Sequence, residues 1–338
     1  MLETIWFIIW GILWGVYFML DGFDLGIGSL LPFLGKKQED RGAMIRAMGP
    51  HWDGNEVWLI TAGGVTFAAF PGTYAVMFSA LYSPLLIILF GLIFRGVSME
   101  FRHQIHTPGW RNMWDSFLFL GSVIPAVLFG VAFANIFQGI PIDAAGVYHG
   151  SLLSLLNPYG LMGGVLFLLL FVQHGALWLA AKTDGDMQQR AGGLAAKLWI
   201  PLTLAAVAFL VHTWFATNLY GNYLATPVLW AIPAIAVSAL LGARVFMAGK
   251  AWWKAWFASC LTILACTLFG VAGLYPSLLP SSMDPAFSMT IANSASSTLT
   301  LKIMLGVALT FVPIVIIYQT WSYTLFKDHM RDGSGHGY

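Results

Sequence analysis

The chain has 338 residues, of which 58% are hydrophobic and 9% are charged, with a net charge of +1 and a mean hydropathy of +0.76. Soluble proteins carry about 25% charged residues, so this composition excludes a soluble protein and predicts a polytopic α-helical membrane protein. The small net charge argues against nucleic acid as a partner. Long apolar runs, rather than short alternating strands, exclude an outer-membrane barrel.

Nine apolar segments follow one another, and each is close to the ~20 residues that cross a ~30 Å hydrocarbon layer. The first segment has no basic residues before it and carries carboxylates, so we interpret it as a retained span rather than a cleaved signal peptide. The sequence predicts an all-α transmembrane domain over residues 1–326 and a short polar cytoplasmic tail at 327–338. The segments cover residues 5–31, 52–70, 75–98, 113–137, 158–181, 198–217, 227–247, 252–275 and 300–326.

The distribution of lysine and arginine predicts the orientation, because these residues collect in cytoplasmic loops. With nine spans, fifteen of the sixteen basic residues fall on one side of the membrane and only Lys302 falls on the other. A miscounted span would scramble this alternation. The sequence therefore predicts nine transmembrane helices with the N-terminus outside and the C-terminus in the cytoplasm.

Ionisable groups are costly inside a bilayer and therefore mark candidate functional positions. Several stand at the ends of the first three segments, above all in GPHWDGNEVWLITA at residues 49–62. The predicted topology brings these side chains together at the cytoplasmic side of three consecutive helices. They are Asp21, Asp24, His51, Asp53, Glu56, Arg95 and Glu100.

Two interpretations of this carboxylate cluster are open. In the first, the groups satisfy one another, with Arg95 paired to Asp21 or Asp24 and with Asp53 capping the second helix, where the helix dipole favours a carboxylate. In the second, one arginine cannot neutralise five acids, so the remaining carboxylates need water or protons, which suits proton uptake from the cytoplasm. The three glycines of DGFDLGIG indicate close helix packing around these acids.

The residues of this chain do not predict a complete cofactor site. Haem needs an axial His, Met or Cys, but the intramembrane His174 and His212 are predicted at different depths. Cys260 and Cys266 are six residues apart, about 9 Å along a helix, which is too far for a disulfide and gives no metal-ligand spacing. We therefore assign neither a catalytic residue nor a metal site to this chain.

The chain resembles subunit II of the cytochrome bd quinol oxidases along its whole length. The resemblance is carried by DGFDLGIGSLLPFLG at 21–35, GPHWDGNEVWLITAGG at 49–64, FRGVSMEFR at 94–102 and WRNMWD at 110–115. It continues through GVAFANIFQGIP, LNPYGLMGG, WAIPA and PSSM, and HWDGNEVW is its most specific motif. It implies a fold of nine transmembrane helices, arranged as two four-helix bundles plus one peripheral helix.

The resemblance also implies the partners and cofactors of the chain. This haem-free subunit would pair with a homologous subunit I, which holds the b-type haems and haem d and oxidises quinol while O2 is reduced to water. Some members hold a structural quinone in subunit II, and a small accessory single-helix subunit is a further candidate partner. The implied location is the cytoplasmic membrane of a bacterium or archaeon, with lipid around the helices.

By resemblance, Asp53 falls at the entrance of a proton route from the cytoplasm, with Glu100 alongside. Glu56 and His51 stand beside Asp53 in the sequence and are assigned to the same route. Gln104 stands where some members have a lysine, which leaves the exact proton relay open.

A second group of residues matches positions at the interface between the two subunits. Asp24 and Arg95 match positions that support haem binding or assembly, and Asp21, three residues before Asp24, is assigned to the same role. Trp58 matches a residue near a lateral route for oxygen in some members. All of these roles are implied by the resemblance alone.

Two other functions are compatible with the carboxylate cluster. A stand-alone proton-coupled transporter could use the same acids, although transporters commonly place their site near the bilayer midplane, between internal repeats. Here the acids lie near one surface. The other alternative is an assembly scaffold that takes no part in proton transfer.

Overall fold

The computed structural model describes residues 1–326 and is almost entirely helical. The predicted tail at 327–338 lies outside the described residues. A short antiparallel pair, β1 (Ser277–Leu279) and β2 (Met289–Thr290), is the sheet of the described part. The helices are α1 (Leu2–Leu20), α2 (Gly22–Leu34), α3 (Gln38–Met48), α4 (Trp52–Ala69), α5 (Pro71–Ala80), α6 (Tyr82–Phe101), α7 (Pro108–Gln138), α8 (Pro158–Lys182), α9 (Gly185–Ala216), α10 (Tyr220–Ala225), α11 (Ala231–Ala248), α12 (Trp252–Leu274), α13 (Ile291–Ser294) and α14 (Thr298–Leu325).

Eight segments of the described chain are helical, long and apolar enough to cross a membrane. The first, Leu2–Leu34, joins α1 and α2, and the others are α6, α7, α8, α9, α11 with the turn before it, α12 and α14. The eighteen-residue α4, which contains Asp53 and Glu56, is not among them. The prediction of an all-helical polytopic membrane protein is therefore confirmed, while a ninth span at 52–70 stays a prediction.

Helix boundaries differ from the apolar segments at several positions. The segments 52–70 and 75–98 imply a loop between them, and this prediction was wrong, because the helix α5 begins at Pro71. Proline suits the first helical position, where its missing N–H would have no partner. Consequently α6 begins at Tyr82 rather than at 75. The long α9 begins at Gly185 rather than at 198, because polar residues extend that helix beyond its apolar segment.

The centre of the fold is α2, which packs against both α7 and α8. The helices α2 and α8 cross with their backbones in contact, because both carry glycine at the crossing point. A Cβ atom on Gly175 would lie 2.6 Å from the backbone nitrogen of Ile27, and one on Gly26 would run into the backbone of Phe171. The close packing predicted from the glycines of DGFDLGIG is therefore confirmed.

Contacts between the loops form two separate groups, which are named the first and the second face. On the first face, Arg190 at the start of α9 lies 2.8 Å from Asp40 of α3. On the second face, the Ser281 hydroxyl donates to the Ile142 carbonyl at 2.6 Å, and the Asn222 amide donates to the Tyr275 carbonyl at 2.5 Å. These contacts tie alternate loops to one another.

The last helix, α14, lies at the edge of the fold. It packs mainly against α1 and α4, and Leu301 is the buried residue among its 28. At its start, the Trp6 indole donates to the Leu301 carbonyl at 3.1 Å. Because α14 buries so little apolar surface against this chain, its polar contacts contribute much of its attachment.

Candidate functional site

A buried arginine organises the carboxylates that were predicted to converge. The guanidinium NH2 of Arg95 on α6 lies 2.8 Å from Asp21 Oδ1 and 2.8 Å from Glu56 Oε1. Asp21 is fully buried, whereas the Glu56 side chain is 24% exposed. A buried charge without a partner costs several kcal/mol, so this triad fixes the first span, α4 and α6 relative to one another. Of the two partners predicted for Arg95, Asp21 forms the ion pair, whereas Asp24 forms none among the described residues and Glu56 is the second partner.

Asp24, in the first turn of α2, is fully buried and bonds to an amide. Asn55 Nδ2 donates to Asp24 Oδ2 at 2.7 Å, while Asp24 Oδ1 has no hydrogen-bond partner among residues 1–326. The other end of the Asn55 amide, Oδ1, accepts from the Tyr323 hydroxyl at 2.8 Å and from Gln319 Nε2 at 3.2 Å. A hydrogen-bonded chain therefore runs from Asp24 through Asn55 to α14.

No role was predicted from the sequence for Asn55, Gln319 or Tyr323. Asn55 lies inside the HWDGNEVW motif, between Asp53 and Glu56, the two acids that were assigned to the proton route. Gln319 and Tyr323 are four residues apart, so they share one face of α14. Two polar side chains on one face of an otherwise apolar helix indicate a polar contact with another helix, and this pattern could have identified Gln319 and Tyr323.

Asp53 and Glu100 lie outside the buried cluster. Both are exposed, and no ion pair within the described part of the chain involves either carboxylate. Asp53 Oδ1 accepts a hydrogen bond from the Gly54 N–H at 2.7 Å. The N-cap of α4 is His51, so the alternative in which Asp53 caps this helix is wrong. Asp53 instead lies in the first turn, where the helix dipole still favours its charge.

An open groove separates α4 from α6 and reaches the exposed edge of Glu56. At one end, a cavity of about 470 Å³ is lined by Glu56, Glu100 and Trp52, among others. It shares four lining residues with a cavity of about 560 Å³ that continues between the same helices past Gly63 and Gly64. No described atom lies within 4 Å of the Cβ positions of these two glycines, so the groove opens sideways.

His51 contacts α14 rather than the carboxylates. Its ring stacks on Tyr323 with the ring centroids 4.2 Å apart. Neither ring nitrogen has a hydrogen-bond partner in the described chain. Burial, helped by the positive charge of Lys182, lowers the pKa of His51 to about 4, so the ring is neutral at pH 7.

Trp58 lies on α4 and is buried. Its indole nitrogen donates to Gln319 Oε1 at 2.7 Å. Trp58 also lines an apolar cavity of about 630 Å³ between α1, α12 and α14, together with Trp256 and Cys260. The indole nitrogen of Trp256 is buried and has no hydrogen-bond partner in residues 1–326. This cavity therefore offers aromatic walls.

The histidine that lies deepest in the fold, His174 on α8, has both ring nitrogens engaged. Its Nδ1 is hydrogen-bonded to the Ser259 hydroxyl, and its Nε2 lies 3.0 Å from the Met19 carbonyl oxygen. An axial bond to haem iron needs a free ring nitrogen. His174 could serve as an iron ligand only if one of these hydrogen bonds broke.

Comparison with known proteins assigns the chain to a family. The family model described as cytochrome bd terminal oxidase subunit II matches residues 2–326. This chain belongs to that family. It is subunit II of a cytochrome bd quinol oxidase, a respiratory membrane enzyme that transfers electrons from quinol to oxygen. The stand-alone transporter considered from the sequence is thereby excluded.

Relatives match this subunit II over almost its full length. "Cytochrome bd-I ubiquinol oxidase subunit 2" of Escherichia coli K12 is 36% identical, over 95% of this chain and 93% of that protein. "Cytochrome bd ubiquinol oxidase subunit 2" of Bacillus subtilis 168 is 37% identical over 96% of both chains. The structure of the bd oxidase from Geobacillus thermodenitrificans has a chain of the same fold, with a TM-score of 0.75 and 20% identity over 96% of this chain and 98% of that one.

Proposed function

We propose that this subunit II conducts protons from the cytoplasm toward a haem-bearing subunit I, where the electron transfer and oxygen chemistry take place. The observation that carries the proposal is the groove between α4 and α6, with Glu100 near one end and Glu56 on its wall. Asp53 is exposed in the first turn of α4, one helical turn before Glu56. A carboxylate at membrane depth costs free energy unless water or protein surrounds it. A hydrated groove would supply that water and would also supply protons.

The proposed topology has nine transmembrane helices, with α4 as the ninth and the C-terminus in the cytoplasm. Eighteen residues of α4 span about 27 Å at 1.5 Å per residue, nearly the ~30 Å of the hydrocarbon core. Basic residues tie the loops of the first face together, since Arg41 lies 2.8 Å and Arg102 lies 2.5 Å from Asp115. A face rich in arginine is the one expected in the cytoplasm. The relatives from Escherichia coli and Bacillus subtilis are bacterial proteins, which supports the cytoplasmic membrane of a bacterium as the location of this subunit.

Subunit I is the proposed occupant of the part of the groove beside Gly63 and Gly64, while the part at Glu56 and Glu100 stays open to water. Membrane helix interfaces favour small residues, which let backbones approach closely, and Gly63 and Gly64 are uncovered on α4. Large apolar side chains flank them, with Ile60 73% and Phe67 59% exposed. A homologous membrane subunit offers the apolar helices that this surface fits. An additional single-helix subunit stays a prediction.

We place the b-type haems and haem d in subunit I, and the engaged nitrogens of His174 support this division. A structural quinone fits the cavity of about 630 Å³ beside Trp58. Its aromatic walls, which include Trp58 and Trp256, suit a flat ring. When bound, a quinone would fill this space against those walls.

The buried triad has a proposed structural role. Asp21 and Arg95 fix the relative positions of helices next to the groove, which fits the support for haem assembly predicted from resemblance, and Asp24 lies beside them. An oxygen route past Trp58 is proposed because the cavity beside this side chain is apolar. The proton relay beyond Glu56 is not assigned to Gln104, which lies after the end of α6.

The proton route is tested by Asp53→Asn in the assembled two-subunit complex. Quinol oxidation should slow several-fold while haem content stays normal, because the exposed side chain touches none of the buried groups. Glu39→Gln is the matched control, since Glu39 is exposed on α3 and does not line the groove. Unchanged turnover in Asp53→Asn would remove Asp53 from the route. Normal turnover in a double Asp53→Asn and Glu100→Gln variant would favour the assembly scaffold.

A further inference from the structure

The charges buried around Arg95 do not balance if every acid is ionised. Arg95, Asp21 and Asp24 are each 0% exposed. The one positive charge is matched by Asp21 at 2.8 Å and is shared with Glu56 at the groove. An ionised Asp24 would therefore add an uncompensated negative charge to a site that solvent does not reach. Such a charge costs several kcal/mol or more, and a buried carboxylate in this position takes up a proton instead.

The hydrogen bonds of Asn55 specify which oxygen of Asp24 is available to carry a proton. Because Asn55 Oδ1 accepts from Tyr323 and Gln319 of α14, its amide nitrogen must face Asp24. That nitrogen only donates, so Asp24 Oδ2 is the acceptor in this bond. Asp24 Oδ1 has no partner among the described atoms and is the oxygen left for the hydrogen.

We propose that Asp24 is a neutral carboxylic acid in the resting complex, with its hydrogen on Oδ1, and that it stores a proton in the buried cluster behind Glu56. Uptake forms one O–H bond on this oxygen and release breaks it, and no electron moves. The storage role in turnover rests on the proton route proposed above, whereas the protonation state does not. The titratable groups on the surrounding helices are Tyr17 and Asp21 on the first span, Glu56 on α4, Arg95 on α6, His174 on α8, Cys260 on α12 and Tyr323 on α14.

Infrared spectroscopy of the intact two-subunit complex with isotope-labelled aspartate tests the protonation state. The wild-type complex should show the carbonyl band of a protonated aspartic acid, which shifts when water is exchanged for heavy water. The band should be lost in Asp24→Asn and retained in Asp53→Asn, because Asp53 is exposed. Absence of the band from the wild type, or its persistence in Asp24→Asn, overturns the proposal.

A second variant covers the case in which Asp24→Asn fails to assemble. Asn55→Ala removes the hydrogen bond to Asp24 Oδ2, so the carbonyl band of the acid should move to higher frequency. Asn112→Ala is the control, because Asn112 accepts from Arg41 on another part of the surface. A band that stays in place in Asn55→Ala also overturns the proposal. These spectra are independent of turnover, so a normal rate in Asp53→Asn would contradict the route without deciding the state of Asp24.

Discussion

The guanidinium of Arg95 lies 2.8 Å from Glu56 Oε1, which joins a side chain that solvent does not reach to a carboxylate that is 24% exposed. The same nitrogen atom lies 2.8 Å from Asp21 Oδ1. Because arginine keeps its charge at all physiological pH values, these two carboxylates share a permanent positive charge. Any change in the charge of Glu56 at the groove therefore acts directly on the buried pair.

The first prediction concerns the loss of this positive charge. Arg95→Leu leaves Asp21 buried and unpaired, which should destabilise the subunit by about 3–5 kcal/mol. Arg95→Lys should lose less, because the charge remains although an ammonium cannot reproduce the planar geometry. The measurement is the apparent unfolding temperature of the purified complex. Arg46→Leu on the exposed surface of α3 is the control, and equal stability of the Arg95→Leu and Arg46→Leu complexes would contradict the prediction.

The membership of the buried cluster was partly predictable from the sequence. Asp21 and Asp24 are three residues apart and share a helix face, and the positive-inside pattern placed them at the same depth as Arg95. The pairing was not predictable, because it depends on how each helix is rotated about its axis. That rotation buries Asn55, leaves Asp53 exposed and turns Glu56 toward Arg95.

The fold was predictable where apolar runs are separated by charged loops. It was not predictable at α5, because PGTYAVMFSA is apolar and runs into the next segment without a polar break. The contact of α14 with Asn55 was not predictable either. The residues involved are 268 positions apart, and no local pattern encodes the register of two distant helices.

The second prediction concerns the crossing of α2 and α8. A Cβ atom on Gly175 would meet the backbone of Ile27 and Gly26 at 2.6–2.7 Å, and a backbone cannot rotate away as a side chain can. Gly175→Ala should therefore force the helices apart and cost about 1–3 kcal/mol. Thermal unfolding of the complex measures this loss. Gly193→Ala, where nothing lies within 4 Å of the Cβ position, should be neutral, and similar losses in both variants would contradict the crossing.

The third prediction concerns the surface proposed for subunit I. Gly64→Leu places a large side chain on the open face of α4 and should reduce the recovery of subunit I with a tagged subunit II. The fold of this chain should be unaffected, because no described atom lies near that Cβ position. Gly193→Leu on α9 is the control on a different helix. Equal recovery of subunit I with both variants would place the partner elsewhere.

The fourth prediction concerns pH. Burial and the charge of Lys182 lower the pKa of His51 to about 4, whereas an unfolded histidine has a pKa near 6.5. The neutral ring stabilises the fold fully above pH ~6.5, and this contribution declines as the pH falls toward the folded pKa, because the unfolded chain binds the proton more readily. His51→Phe keeps an aromatic ring against Tyr323 and should flatten this part of the stability profile. Parallel profiles for both proteins between these pH values would contradict the prediction.

The fifth prediction concerns the attachment of α14. Tyr323→Phe removes the hydroxyl that donates to Asn55 at 2.8 Å and should cost about 0.5–1.5 kcal/mol. Hydrogen exchange at the end of α14 should become faster. Tyr318→Phe is the control, because the Tyr318 side chain is 65% exposed. Equal exchange rates in the two variants would show that Asn55 does not hold this helix.

The open groove between α4 and α6 makes the stability of this subunit depend on assembly. A copy without subunit I holds the exposed edge of Glu56 against lipid, where a carboxylate is costly. Such a copy is therefore less stable in the membrane than an assembled one. Covering of this surface by subunit I would therefore stabilise the subunit in the membrane.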